Sequence, residues 1–167
     1  MRSVRRTRPP VEVAAGERLL AWVQVEDGGW VAGTRDALYL PTARVPWEEV
    51  QAADWDREAG RLRVSEVGTW GKTRPRHLLA IPDSAAKDAD RLLQLLRERV
   101  TASVLLSRHV PITGRRGVRI VARRAPSGRS GVNWLYEYDE GIDPDDPFVR
   151  AAAETALEAA QADVGLP

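Results

Sequence analysis

The side chains best suited to acid–base or metal chemistry are two histidines, His77 and His109. Neither has a Glu, Asp or His at metal-ligand spacing, so both read as structural residues rather than as a ligand or a base. The acidic run from Asp139 to Asp146 (Asp139, Glu140, Asp143, Asp145 and Asp146) could in principle hold Ca²⁺. It lacks the internal glycine and the closing glutamate of an EF-hand loop. Capping of a following helix by Asp143 or Asp145 explains it more simply. No P-loop, nucleophile elbow or dinucleotide fingerprint is present, and a chain without cysteine has neither a thiol nucleophile nor a thiolate metal site. The expectation is therefore a non-enzymatic protein with no catalytic residue, no metal and no cofactor.

Recognition chemistry is easier to find. From Arg108 to Arg129 there are seven arginines (Arg108, Arg115, Arg116, Arg119, Arg123, Arg124 and Arg129) and no acid. From Glu137 to Asp146 there are six acids and no base. Two readings of this segregation stand side by side. In one, Arg115, Arg116, Arg123, Arg124 and Arg129 form a phosphate-binding patch, assisted by the arm residues Arg5, Arg6 and Arg8. In the other, the runs neutralise each other across a hairpin that pairs Val121 with Leu135, which puts Arg119 opposite Glu137 and Arg123 opposite Asn133. A second basic stretch, Gly68 to Arg76, carries Trp70 with Lys72, Arg74 and Arg76 around it. That arrangement suits base stacking or insertion at a membrane interface, or an indole folded back over the core. Among the six tryptophans, Trp22, Trp30 and Trp55 are expected in the core. Trp47, directly before Glu48 and Glu49, is expected at a rim as an anchor for a protein partner.

The elements that must position these residues follow from periodicity. Seven short β-favouring segments precede residue 82: Arg18–Val25, Trp30–Thr34, Ala37–Leu40, a short strand and helical turn over Arg44–Val50, Gln51–Trp55, Arg61–Val67 and Arg76–Ile81. Ser84 is placed to cap a helix to about Val100, with Ala85, Ala89, Leu92, Leu93, Leu96 and Val100 on one face. Beyond it the pattern predicts a hairpin, Val118–Arg124 with Val132–Asp139, and a last helix from Pro147 to Asp163. Its apolar stripe is Phe148, Val149, Ala152, Ala156 and Leu157.

Three motifs in the first half point to a family. Gly16-Glu17 opens the first strand, Thr34-Arg35-Asp36-Ala37-Leu38-Tyr39 makes a turn between strands, and Val45-Pro46-Trp47-Glu48-Glu49-Val50 follows. Together, over about residues 16–100, they resemble bacterial pleckstrin-homology-like (PH-like) domains. The resemblance implies an α+β fold with a seven-stranded, partly open barrel capped by an amphipathic helix, usually a module that binds proteins or lipids. Lipid-binding members of the wider superfamily often carry a basic first hairpin loop, whereas here that loop is Glu26-Asp27-Gly28-Gly29.

The resulting organisation is a basic arm over 1–15, a PH-like barrel with its helix over 16–102, and a hairpin–helix extension over 103–167. With 43% apolar and 29% charged residues the composition is that of a globular protein. The net charge of +1 provides no global field toward nucleic acid or membrane. No run of about 20 apolar residues is present, and the basic N-terminus has no apolar stretch behind it. A cytoplasmic protein that binds a protein partner is the expectation, with nucleic acid as the alternative and membrane attachment disfavoured.

Overall fold

The computed structural model describes residues 8–68, 75–128 and 131–165. The chain divides after Thr101 into two compact units. In the first, β1 (Ala21–Gln24), β2 (Trp30–Gly33), β3 (Ala37–Tyr39) and β4 (Arg44–Pro46) make one antiparallel sheet in sequential order. A single 3₁₀ turn, Trp47–Glu49, leads to β5 (Val50–Asp56), which with β6 (Arg61–Glu66) and β7 (Arg76–Ala80) makes a second. The expected seven strands are thus present as separate four- and three-stranded sheets and not as one closed barrel. A backbone bond from the Glu26 N–H to the Ala80 carbonyl, at 2.9 Å, runs between their ends.

Helix α1 (Ala86–Ser103) covers this core with the face its periodicity selects. Ala89, Leu92, Leu93 and Leu96 are buried against Val23, Val31, Leu38, Val45, Leu62 and Val64. Each fully buried Leu or Val contributes about 1.5–3 kcal/mol relative to an exposed one. Arg91, Gln94, Arg97 and Glu98 face solvent, as the pattern requires. Ser84 does not cap the helix: it lies within a 3₁₀ turn, Asp83–Ala85, that precedes α1 and has no side-chain cap. Gly33 lets the helix come close, because a Cβ there would lie 2.5 Å from Leu95 Cδ2.

The second unit holds a strand that the sequence pattern does not single out. β8 (Val104–Thr113) begins directly at the end of α1 and pairs with β9 (Arg116–Arg123), which pairs on its other side with β10 (Asn133–Tyr138). The β9–β10 register is the expected one, with Val121 opposite Leu135, Arg119 opposite Glu137 and Arg123 opposite Asn133. Helix α2 (Pro147–Val164) packs Ala153, Ala156 and Ala160 onto Val118, Ile120, Leu106, Val110, Trp134 and Tyr136, and Val149 near its start is also buried. Its N-cap is Asp146, whose Oδ1 accepts from the Phe148 and Val149 N–H groups at 2.7 and 3.4 Å, and not Asp143 or Asp145. Among the described residues no helix is long and apolar enough to cross a membrane.

Candidate functional site

The arginine-rich segment is distributed by the strand that carries it. Side chains alternate across β9, so Val118 and Ile120 face α2 and Arg119 faces the other way. The same alternation sends Arg116 to the α2 side, where it approaches Gly141. Arg108, opposite Ile120 on β8, also lies on that side and binds Asp163 of α2 at 2.6 Å. Arg123 is not a surface cation: it is 5% exposed, donates to Ser103 Oγ at 3.1 Å, and burial pulls its pKa down from the ordinary arginine value. Arg124 is half-buried, while Arg115 and Arg116 at the β8–β9 turn are exposed and without an ion pair among the described residues. One strand therefore splits the run over two faces and an interior, and among the described residues no single patch collects it. Arg129 lies outside the described residues, as do Arg5, Arg6, Trp70, Lys72 and Arg74.

Trp47 departs from its expected role. It is 0% exposed and donates its indole N–H to the Thr34 carbonyl at 3.0 Å, so it offers no ring at a rim. Trp22, Trp30 and Trp55, expected in the core, are half-buried, with Trp22 and Trp55 packed against its edges. The 3₁₀ turn explains the inversion, because it aims Trp47 inward just where the chain passes from the first sheet to the second.

Both histidines meet carboxylates that sequence spacing conceals. His77 on β7 contacts Glu66 on β6 at 3.0 Å. His109 on β8 contacts Asp139 Oδ2 at 2.7 Å, and the same oxygen accepts from the Gly117 N–H at 2.8 Å. The hydrogen bond from His109, then that from Gly117, holds the Asp139 carboxyl below the usual carboxylate range. Gly117 is required for this, since a Cβ there would lie 1.9 Å from the Val110 carbonyl oxygen. Among the described residues no group of three or more His, Cys, Asp or Glu could hold a metal ion.

A different surface stands out on α2. The uncharged residues Phe148, Ala152, Thr155 and Ala159 recur at helical spacing and, with Val110 and Arg108 of β8, line a groove of about 490 Å³. Phe148 is 69% exposed at one end of it. Sequence reasoning assigns Phe148 and Ala152 to the inward stripe with Val149, Ala156 and Leu157; Val149 and Ala156 are buried and Leu157 packs against the core as expected, but Ala153 and Ala160 take the places of Phe148 and Ala152. The signal for this lies in the three consecutive alanines, Ala151 to Ala153, which leave the buried face undecided until the sheet is in place.

Comparison of the chain with protein-family models, with curated proteins and with solved structures returns no match.

Proposed function

We propose that this protein is a non-catalytic interaction module that binds a protein partner through the groove along α2. The observation that carries the reading is Phe148, a large aromatic side chain 69% exposed beside an uncharged helical stripe. Exposed apolar surface of this kind is costly to a free protein and is recovered when a partner covers it. The resemblance of the first unit to PH-like domains supports this reading, since seven antiparallel strands are followed there by one covering helix. Nucleic-acid binding through the arginines is less well supported, because strand alternation separates Arg116 from Arg119 and Arg123 is interior.

The test is capture from a nuclease-treated lysate of the source organism on immobilised parent chain and on Phe148→Asp. A stoichiometric protein retained by the parent and lost by the variant is the expected result. Retention of nucleic acid alone, with affinity falling by about 0.9 log units per log unit of salt for each neutralised phosphate, overturns the proposal.

A further inference from the structure

The two ends of the α2 groove are opposite in size and in charge. Its helical residues Phe148, Ala152, Thr155 and Ala159 lie four, three and four positions apart, the spacing of a seam between two packed helices. The one large side chain, Phe148, stands exposed at the N-terminal end. Just ahead of it Asp145 is exposed, and its carboxylate meets Arg150 at 3.8 Å. At the other end the helix offers only the methyl group of Ala159. The cation lining the groove is Arg108 of β8, which binds Asp163 one turn beyond Ala159.

From this distribution we infer that the occupant of the groove is a second copy of the same chain, its α2 running antiparallel to the first across a two-fold axis. The inference rests on the reading of the α2 groove given above and names its partner. An axis midway between Ala152 and Thr155 sets Phe148 of each copy over Ala159 of the other, and Ala152 over Thr155. The largest residue of the seam then meets one of the smallest, and the seam keeps an even width. The same axis brings the Arg108 end, at the level of Asp163, to the level of Asp145 in the second copy. A guanidinium has five donors and can serve that carboxylate together with Asp163. A parallel pair fails on both counts. It stacks Phe148 on Phe148, leaves Ala159 facing Ala159 across a gap, and brings like helix ends together. One helix per copy buries less than an interface of standard size, so the dissociation constant is on the order of 10–100 µM. In dilute solution the chain is then a monomer, and variants along the seam leave its own stability unchanged.

Sedimentation equilibrium of the full-length chain, at concentrations up to about 200 µM, reads the association. The parent is expected to dimerise in the upper part of that range. Phe148→Ala removes the large member of the contact, and Ala159→Phe sets ring against ring; each is expected to stay monomeric. The double variant Phe148→Ala/Ala159→Phe exchanges the two ends of the seam and is expected to dimerise like the parent. Both positions are exposed, so the fold tolerates the exchange. Arg108→Asp and Asp145→Arg are each expected to lose the dimer alone and to regain it when mixed, because both contacts of the mixed pair join opposite charges. Should Arg108→Asp fail to fold, the size exchange still decides. A parent chain that stays monomeric, a dimer indifferent to Phe148→Ala, or a double variant that stays monomeric overturns the inference. A monomeric parent that still retains a lysate protein through Phe148 overturns it and leaves the α2 reading standing. A monomeric parent that retains nothing overturns both.

Discussion

The Tyr39 hydroxyl donates to Glu17 Oε2 across 2.8 Å and accepts in turn from the Ala14 N–H, also at 2.8 Å. Thr34 Oγ1 donates to the same carboxylate oxygen at 2.9 Å, and Arg44 binds Oε1. A residue from before the first strand is thereby joined to β3, β4 and the β2–β3 turn. Burial pushes the Glu17 carboxyl up, but the hydrogen bonds from Arg44, Tyr39 and Thr34 together bring it below the ordinary value of 4.5. A carboxyl whose folded pKa lies below its unfolded one stabilises the fold above the unfolded value and loses that contribution as pH falls through the folded one. Glu17→Gln is therefore expected to cost about 2 kcal/mol at pH 7, and the gap to parent is expected to close in acid. Urea unfolding of both chains at neutral and acidic pH measures it.

Trp47 is structural, and its substitution should be felt in stability. Trp47→Ala is expected to lower it by about 3–5 kcal/mol through the cavity it leaves and the loss of the donor to the Thr34 carbonyl. Trp47→Phe retains most of the volume and removes only the donor, at about 1 kcal/mol. Thermal unfolding followed by circular dichroism separates the two.

Gly117→Ala forces a methyl group against the Val110 carbonyl and should destabilise the second unit by about 3 kcal/mol. The same region offers a titration. NMR of the Asp139 carboxyl is expected to give a midpoint below that of an ordinary aspartate, and His109→Ala should move it up, because the imidazole is the leading cause of the depression. A midpoint indifferent to His109 would refute the assignment.

Helix α2 depends on one cap. Asp146→Ala is expected to cost about 1 kcal/mol, whereas Phe148→Ser, at an exposed site, should stay within about 0.5 kcal/mol of parent. Chemical denaturation of the two variants reverses this order if the cap is elsewhere.

Much of this architecture is legible in the residues. Period-two runs such as Arg61–Glu66 and the opposed charges of Arg119 and Glu137 settle strands and register, because a shift by one residue would turn Leu62 and Val64 to solvent. The heptad-like spacing of Leu92, Leu93 and Leu96 does the same for α1. β8 is hidden because no Gly, Pro or Asn punctuates the passage from Ser103 to Val104, and Pro111 interrupts the strand's own pattern. The candidate sites are less legible. Whether Phe148 points in or out depends on which of Ala151, Ala152 and Ala153 meets the sheet, and the His109–Asp139 contact spans 30 residues.

In all three sheets each strand lies next to its neighbour in sequence: β1-β2-β3-β4, β5-β6-β7 and β8-β9-β10. The consequence is kinetic. Every strand pairing closes only a short loop, so each meander can zip up as soon as its residues are available, without waiting for a distant partner. For a chain this rich in β-structure, the slow search for remote strand pairings is absent from sheet assembly, and refolding should be faster than that of a Greek-key protein of equal length.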